Sequence, residues 1–160
     1  MAIDTLTHPI VRILVVDDYP AWCSKTGHIL ERPGWEIVGE AWDGPDAVWK
    51  ARQLQPDIVI LDIGLPGFNG IKAAKLIREK CPCTKIVFLS QETEDDIIKA
   101  AFAAGGAAYV PKANAISDLP LAIKVVLQAA AATDLCSAME KLQAAAASDQ
   151  EKSGSLSSRT

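Results

Sequence analysis

The chain is poor in the residues that several large functional classes require. It holds two histidines and four cysteines in 160 residues. Cys23 and Cys136 stand alone, Cys81-Pro82-Cys83 has one intervening residue, and no second cysteine or histidine pair falls at zinc spacing. A structural zinc site is thereby excluded and reduced thiols are expected. His8 lies in a short leader and His28 on an expected helix, neither with an obvious metal partner. Positive charge is also in deficit: 16 Lys and Arg against 20 Asp and Glu, a net charge of −4. That balance gives no electrostatic footprint for direct nucleic-acid binding by this chain. Met1 to Pro9 is polar and short, unlike a secretion signal, and no apolar run is read as approaching the roughly 20 residues of a membrane span. A cytoplasmic protein without membrane association is expected.

What is present is a hydrophobic content of 49% with 22% charge, ordinary for one globular domain with a buried core. Ile58-Val59-Ile60-Leu61 is apolar on both faces and runs into Asp62, as a central strand of a covered parallel sheet would. Val11–Val16, Glu36–Ala41, Lys85–Ser90 and Ala107–Val110 read as four further strands. Helical spacing fills each interval. Pro20 opens the first helix, Asp43-Gly44-Pro45 caps the second, and Gly70 leads into the third. Thr93 is expected to cap the fourth, a helix with Ile97, Ile98, Ala101 and Phe102. Ser117 is expected to cap the fifth, with Pro120 in its first turn and Leu119, Ile123, Val126 and Ala130 facing inward. Five strand–helix units with short connections predict an α/β fold, (βα)5, with a doubly wound five-stranded parallel sheet and helices on both faces. The expected organisation is a leader over 1–9, the domain over 10–130, an Ala-rich helical extension over 131–147 and a disordered tail over 148–160. Leu135, Met139, Leu142 and Ala146 form an a/d-like stripe in the extension, which leaves a frayed helix or a dimer seam open.

All strands of a parallel sheet end at one edge, where open α/β folds bind ligands. The expected strand ends bring together Asp17 and Asp18, Asp62, Ser90 and Lys112. Two unit charges about 4 Å apart repel by roughly 4 kcal/mol at an effective dielectric near 20. Three clustered carboxylates therefore need protons or a cation among them, and an open all-oxygen site suits Mg²⁺. A metal, a hydroxyl and an ammonium around a carboxylate are equipment for phosphoryl transfer, with Asp62 as the nucleophile.

The motifs Leu14-Val15-Val16-Asp17-Asp18, Ile60-Leu61-Asp62-Ile63-Gly64-Leu65-Pro66 with Gly70, Phe88-Leu89-Ser90 and Tyr109-Val110-Pro111-Lys112 resemble those of two-component response regulator receiver domains, the CheY-like fold. The wording Asp-Ile-Gly-Leu-Pro and Leu-Ser-Gln-Glu is similar to receivers of NarL/LuxR-type transcription regulators. The resemblance implies phosphoryl transfer from a sensor histidine kinase or phosphotransfer protein onto Asp62. It implies Mg²⁺ held by Asp17, Asp18, Asp62 and the backbone carbonyl of Gly64, with Ser90 as switch hydroxyl and Tyr109 as switch aromatic. The face of the fourth helix, fifth strand and fifth helix would carry the signal; that face, or the C-terminal helix with its a/d-like stripe, is also a site for a homodimer. No external substrate is implied. Gln91 stands where the family usually has a small residue, which narrows access for small phosphodonors, and Ala113 follows Lys112 where many relatives have Pro, leaving the isomer of that bond open. No helix-turn-helix pattern follows residue 130. Two other readings remain: a degenerate receiver acting as an unphosphorylated scaffold, and a Mg²⁺-dependent phosphatase. Against the second, Gly64 stands where haloacid-dehalogenase-type hydrolases carry a second Asp.

Overall fold

The computed structural model describes residues 9–156, with the side chains of 135–138, 140 and 147–156 left aside. His8, the rest of the leader before Pro9, the Leu135 and Cys136 side chains and residues 157–160 lie outside the described residues. The strands are β1 (Val11–Val16), β2 (Trp35–Ala41), β3 (Ile58–Leu61), β4 (Lys85–Ser90) and β5 (Gly106–Pro111). The helices are α1 (Pro20–Ile29), α2 (Gly44–Leu54), α3 (Gly70–Lys80), α4 (Asp95–Ala103) and α5 (Ala115–Leu156), with a 3₁₀ turn at Lys112–Asn114. The five strands are parallel, in the order β2-β1-β3-β4-β5. The chain reverses its direction of travel across the sheet between β1 and β3, the position where doubly wound sheets open a crevice.

β3 is central and all four of its residues are buried, which explains its unbroken β-branched and Leu content. Leu14, Val16, Val59, Leu61, Ile86 and Phe88 join Ala47, Ala51, Ala74 and Ile77 from the helices in one apolar cluster. Several helices start where their sequences indicate. Asp43 accepts a hydrogen bond from the Asp46 N–H at 2.7 Å, and Asn69 accepts one from Lys72 N–H at 3.0 Å.

Several sequence expectations are corrected. Thr93 does not cap α4: Glu94 occupies that position without a side-chain hydrogen bond, because the helix begins one residue later than periodicity implies. In α4, Phe102 is 47% exposed and Ala101 is the buried residue. Ser117 does not cap α5, because the 3₁₀ turn feeds directly into a helix starting at Ala115. The Ser117 hydroxyl instead meets the Asn114 carbonyl at 3.3 Å and Asp118 at 3.0 Å, and Pro120 falls in the second turn. Finally, α5 continues to Leu156, so residues 148–156 are helical rather than disordered; helix-forming Gln, Glu and Lys carry it onward.

The chain divides into two compact units, one up to Lys124 and one from Val125. In the first, Leu119 and Ile123 are fully buried. In the second, Met139 and Leu142 are exposed. Lys112–Asp134 is long and apolar enough to cross a membrane by length and composition, which corrects the expectation that no stretch approaches a span. Lys112, Leu119 and Ile123 of that stretch are nevertheless buried within the first unit.

Candidate phosphoacceptor site

Strand register sets the site. Val16 pairs with Leu61, so Asp17 and Asp62 leave the sheet at the same level on adjacent strands. Ser90 pairs with Pro111, so Lys112 emerges one residue beyond Ser90. Asp17, Asp62, Ser90 and Lys112 are all buried, at 3%, 8%, 1% and 7% exposure, while Asp18 is exposed. Buried charges persist only when paired and hydrogen-bonded. Here Lys112 bridges two aspartates: its Nζ lies 2.7 Å from Asp17 Oδ2 and 3.2 Å from Asp62 Oδ2. The other oxygens are met locally, Asp17 Oδ1 by the Tyr19 N–H at 2.9 Å and Asp62 Oδ1 by the Ile63 N–H at 2.8 Å.

Three carboxylates, from Asp17, Asp18 and Asp62, each place an oxygen within 4.8 Å of the others. Set against the single Lys112 ammonium, the ionised cluster carries two negative charges in excess. A divalent cation fits that deficit, and an all-oxygen donor set suits a hard ion. Burial pushes the Asp17 carboxyl above its ordinary range, opposed by hydrogen bonds from Lys112 and the Tyr19 N–H and reinforced by the charge of Asp62.

The cluster opens onto a cleft of about 450 Å³ whose walls include Tyr19, Trp22, Gly64, Ser90, Gln91 and Glu92. Gly70 abuts the backbone of the Asp62 loop: a Cβ there would stand 2.0 Å from the Asp62 carbonyl oxygen, so only glycine permits this approach of α3 to the β3 tip. The Gly70 N–H donates to the Ile63 carbonyl at 2.8 Å and holds the loop closed. Ser90 and Tyr109 both grip Glu92. Ser90 Oγ accepts from the Glu92 N–H at 3.2 Å, and the Tyr109 hydroxyl donates to the Glu92 carbonyl at 2.7 Å. The Tyr109 ring stacks on Phe88 with centroids 6.2 Å apart, and burial raises the Tyr109 pKa, opposed by the nearby Ser90 hydroxyl.

Every residue singled out from the sequence thus meets at one edge: Asp17, Asp18, Asp62, Gly64, Ser90 and Lys112 line one cleft, and Tyr109 is one hydrogen bond behind it. No peptide bond among the described residues is cis, so Lys112–Ala113 is trans. Sequence reasoning missed the linking role of Glu92 and the burial of Cys23 behind Asp17. The Cys23 thiol donates to the Asp17 carbonyl at 3.5 Å, and burial, with Glu40 and Asp17 nearby, pushes its pKa up to about 11. Its position one residue after Trp22, on the inward side of an amphipathic helix, was the available signal.

A family model for the response regulator receiver domain matches residues 13–124. The chain belongs to that family, and its domain is of the class used in two-component systems. It is 38% identical over 116 residues to the transcriptional regulatory protein PdtaR of Mycobacterium tuberculosis, over 72% of this chain and 56% of that protein. A crystal structure of a two-component response regulator of the LuxR family from Aurantimonas sp. SI85-9A1 is similar with a TM-score of 0.72 at 34% identity, covering 75% of this chain and 86% of that one. The CheX–CheY–BeF₃–Mg²⁺ complex from Borrelia burgdorferi matches with a TM-score of 0.71 at 25% identity, over 79% of this chain and 95% of that one. The chain spans about half the length of curated relatives it matches, 55% for response regulator GacA of Pseudomonas viridiflava.

Proposed function

We propose that the chain is a phosphorylation-controlled signalling domain that accepts a phosphoryl group on Asp62 from a phosphohistidine of a sensor histidine kinase or phosphotransfer protein. The single observation that carries this reading is the Lys112 ammonium bridging Asp17 and Asp62, with the Asp18 carboxylate beside them. A purely structural ion pair would need one acid per base. Asp17, Asp18 and Asp62, with the Gly64 backbone carbonyl, would hold Mg²⁺, which when bound supplies charge neutralisation to the phosphoryl oxygens.

The remaining work falls to side chains. An Asp62 carboxylate oxygen attacks phosphorus, the P–N bond to the donor imidazole breaks, and its electron pair stays on that nitrogen, which takes up a proton. Lys112 and the Ser90 hydroxyl stabilise the phosphoryl oxygens. Ser90 can donate its proton, since it now accepts from Glu92. Once Ser90 turns to a phosphoryl oxygen, the Glu92 N–H loses its acceptor and the clamp shared with Tyr109 is released. Tyr109 would then move and alter the face of α4, β5 and α5, where Phe102, Ile116 and Leu121 are exposed. That face is the site proposed for an output partner or a second copy of the chain, in a cytoplasmic protein without a substrate of its own; the C-terminal helix is a second site for a homodimer.

The test is incorporation of hydroxylamine-sensitive phosphate in the presence of Mg²⁺. Labelling of the native chain and its loss in Asp62→Asn is expected, and retained labelling in that variant overturns the assignment.

A further inference from the structure

Lys112 borders two clefts. One is the acidic cleft already described. The other, of about 370 Å³, is lined by Trp22, Lys25, Gln91, Thr93 and Ala113 among others and includes no carboxylate. A lysine is a compact charge on a long flexible stem, so two carboxylates fix its charge without fixing which way the stem leans. Once Asp62 becomes an acyl phosphate, one of the carboxylates that hold Lys112 changes its character. As Lys112 then turns toward the phosphoryl oxygens, a neighbour outside the acid cluster is needed to keep its stem on that side of the wall.

The indole of Trp22 meets that need. It stands on α1 in the wall shared by both clefts, half-buried, with Lys112 Nζ 4.7 Å from its ring centroid. A tryptophan face attracts an ammonium at that distance through its quadrupole. The Lys25 ammonium lies 4.6 Å from the same centroid, so the ring is loaded with a second cation, and Lys25 lines the cleft into which Lys112 would otherwise swing. A positive charge there repels Lys112 back toward Asp17 and Asp62. Tyr19, just before α1, is 63% exposed, and the ring over which the Lys112 ammonium lies is that of Trp22.

We infer that Trp22 is a positioning residue for Lys112, holding the ammonium on the acid side of the wall before and after Asp62 is phosphorylated. This rests on the phosphoacceptor reading of Asp62, and two separable measurements test it. The first is the proton chemical shift of the Lys112 Cε methylene, which the indole ring current moves upfield. Trp22→Phe keeps part of that shift and Trp22→Leu removes it. The second is the rate of Asp62 phosphorylation by phosphoramidate with Mg²⁺, in which the donor P–N bond breaks and ammonia leaves. Trp22→Leu is expected to slow it roughly 2- to 5-fold, the range of one ammonium–ring contact at a partly exposed site, with Trp22→Phe restoring most of the rate. In a Lys112→Ala background, Trp22→Leu should have no further effect.

Loss of the shift and of the rate together, with no effect once Lys112 is gone, supports the inference. An unchanged Lys112 shift in Trp22→Leu overturns it, as does an equal slowing in the Lys112→Ala background. A native chain that takes no label while Lys112 keeps its upfield shift contradicts the phosphoacceptor function itself, and the positioning role falls with it. A native chain that labels, beside a Trp22→Leu variant that labels equally fast, overturns the role of Trp22 alone.

Discussion

The two ends of the sheet use similar residues to opposite effect. At the N-terminal ends of the strands stand Arg12, Asp57 and Thr84; at the C-terminal ends stand Asp17, Asp62, Ser90 and Lys112. In the first group each polar side chain closes a backbone gap. Asp57 accepts from the Arg12 N–H at 2.8 Å, the Arg12 guanidinium donates to the Leu54 and Gln55 carbonyls, and the Thr84 hydroxyl donates to the Pro56 carbonyl at 2.7 Å. In the second group the charges meet one another directly, and with Asp18 beside them three carboxylates surround one ammonium. Polar residues at strand ends do not by themselves mark a site. An excess of like charge that the backbone leaves unneutralised does, because such an arrangement costs stability unless a ligand joins it.

Exchanging acid for amide at each end breaks the comparison most sharply. Asp62→Asn should abolish phosphate incorporation, while Asp57→Asn should leave it intact and cost about 1 kcal/mol of stability by weakening its hydrogen bond to Arg12. Equal loss of labelling in both variants would erase the distinction. Next in size is Gly70→Ala. Its Cβ would collide with the Asp62 carbonyl, so urea unfolding should show a loss of about 3 kcal/mol, with slower labelling because the Asp62 loop is displaced.

Thr84→Val removes a buried hydroxyl that serves only Pro56. It should cost about 1 to 1.5 kcal/mol in denaturant melts and leave labelling at the native rate. Asp17→Asn should act in the opposite sense on stability. Burial, the largest influence, raises the folded pKa of Asp17 above its unfolded value, so the folded chain holds that proton more tightly. The stability it contributes is complete below the unfolded carboxylate pKa and is lost as pH rises through the folded one. In metal-free buffer the variant should lack that downward slope and melt on the order of 1 kcal/mol higher at neutral pH. An unchanged slope would show that Lys112 fully offsets the burial.

The smallest effect concerns thiols. With its pKa near 11, Cys23 should resist alkylation at neutral pH while the exposed Cys83 reacts. Counting labelled thiols by mass in the folded chain checks this.

Much of this contrast was legible in the residue order. The run Ile58–Leu61 into Asp62 and the run Val11–Val16 into Asp17-Asp18 fix strand identity and direction, and a parallel sheet then forces their ends together. The parts not legible depend on details finer than periodicity. Thr93 and Ser117 looked like caps because capping residues precede apolar spacing, yet whether a side chain reaches an orphan N–H depends on loop dihedrals that spacing does not encode. Phe102 belongs to the apolar spacing of α4 yet is exposed near the helix end, because spacing alone does not say which side a short helix covers. Trp22 was readable as a helix residue near the acids, but its approach to Lys112 joins α1 to the end of β5, a tertiary relation with no local signature.

The most direct measurement is an amide NMR spectrum of the native chain titrated with beryllofluoride and Mg²⁺, a stable mimic of the phosphorylated carboxylate. Shifts are expected at Asp17, Asp62, Ser90, Glu92, Tyr109 and Lys112, with Arg12, Asp57 and Thr84 unmoved at the opposite edge. A spectrum that stays unchanged throughout would contradict the phosphoacceptor reading and leave the domain as a scaffold.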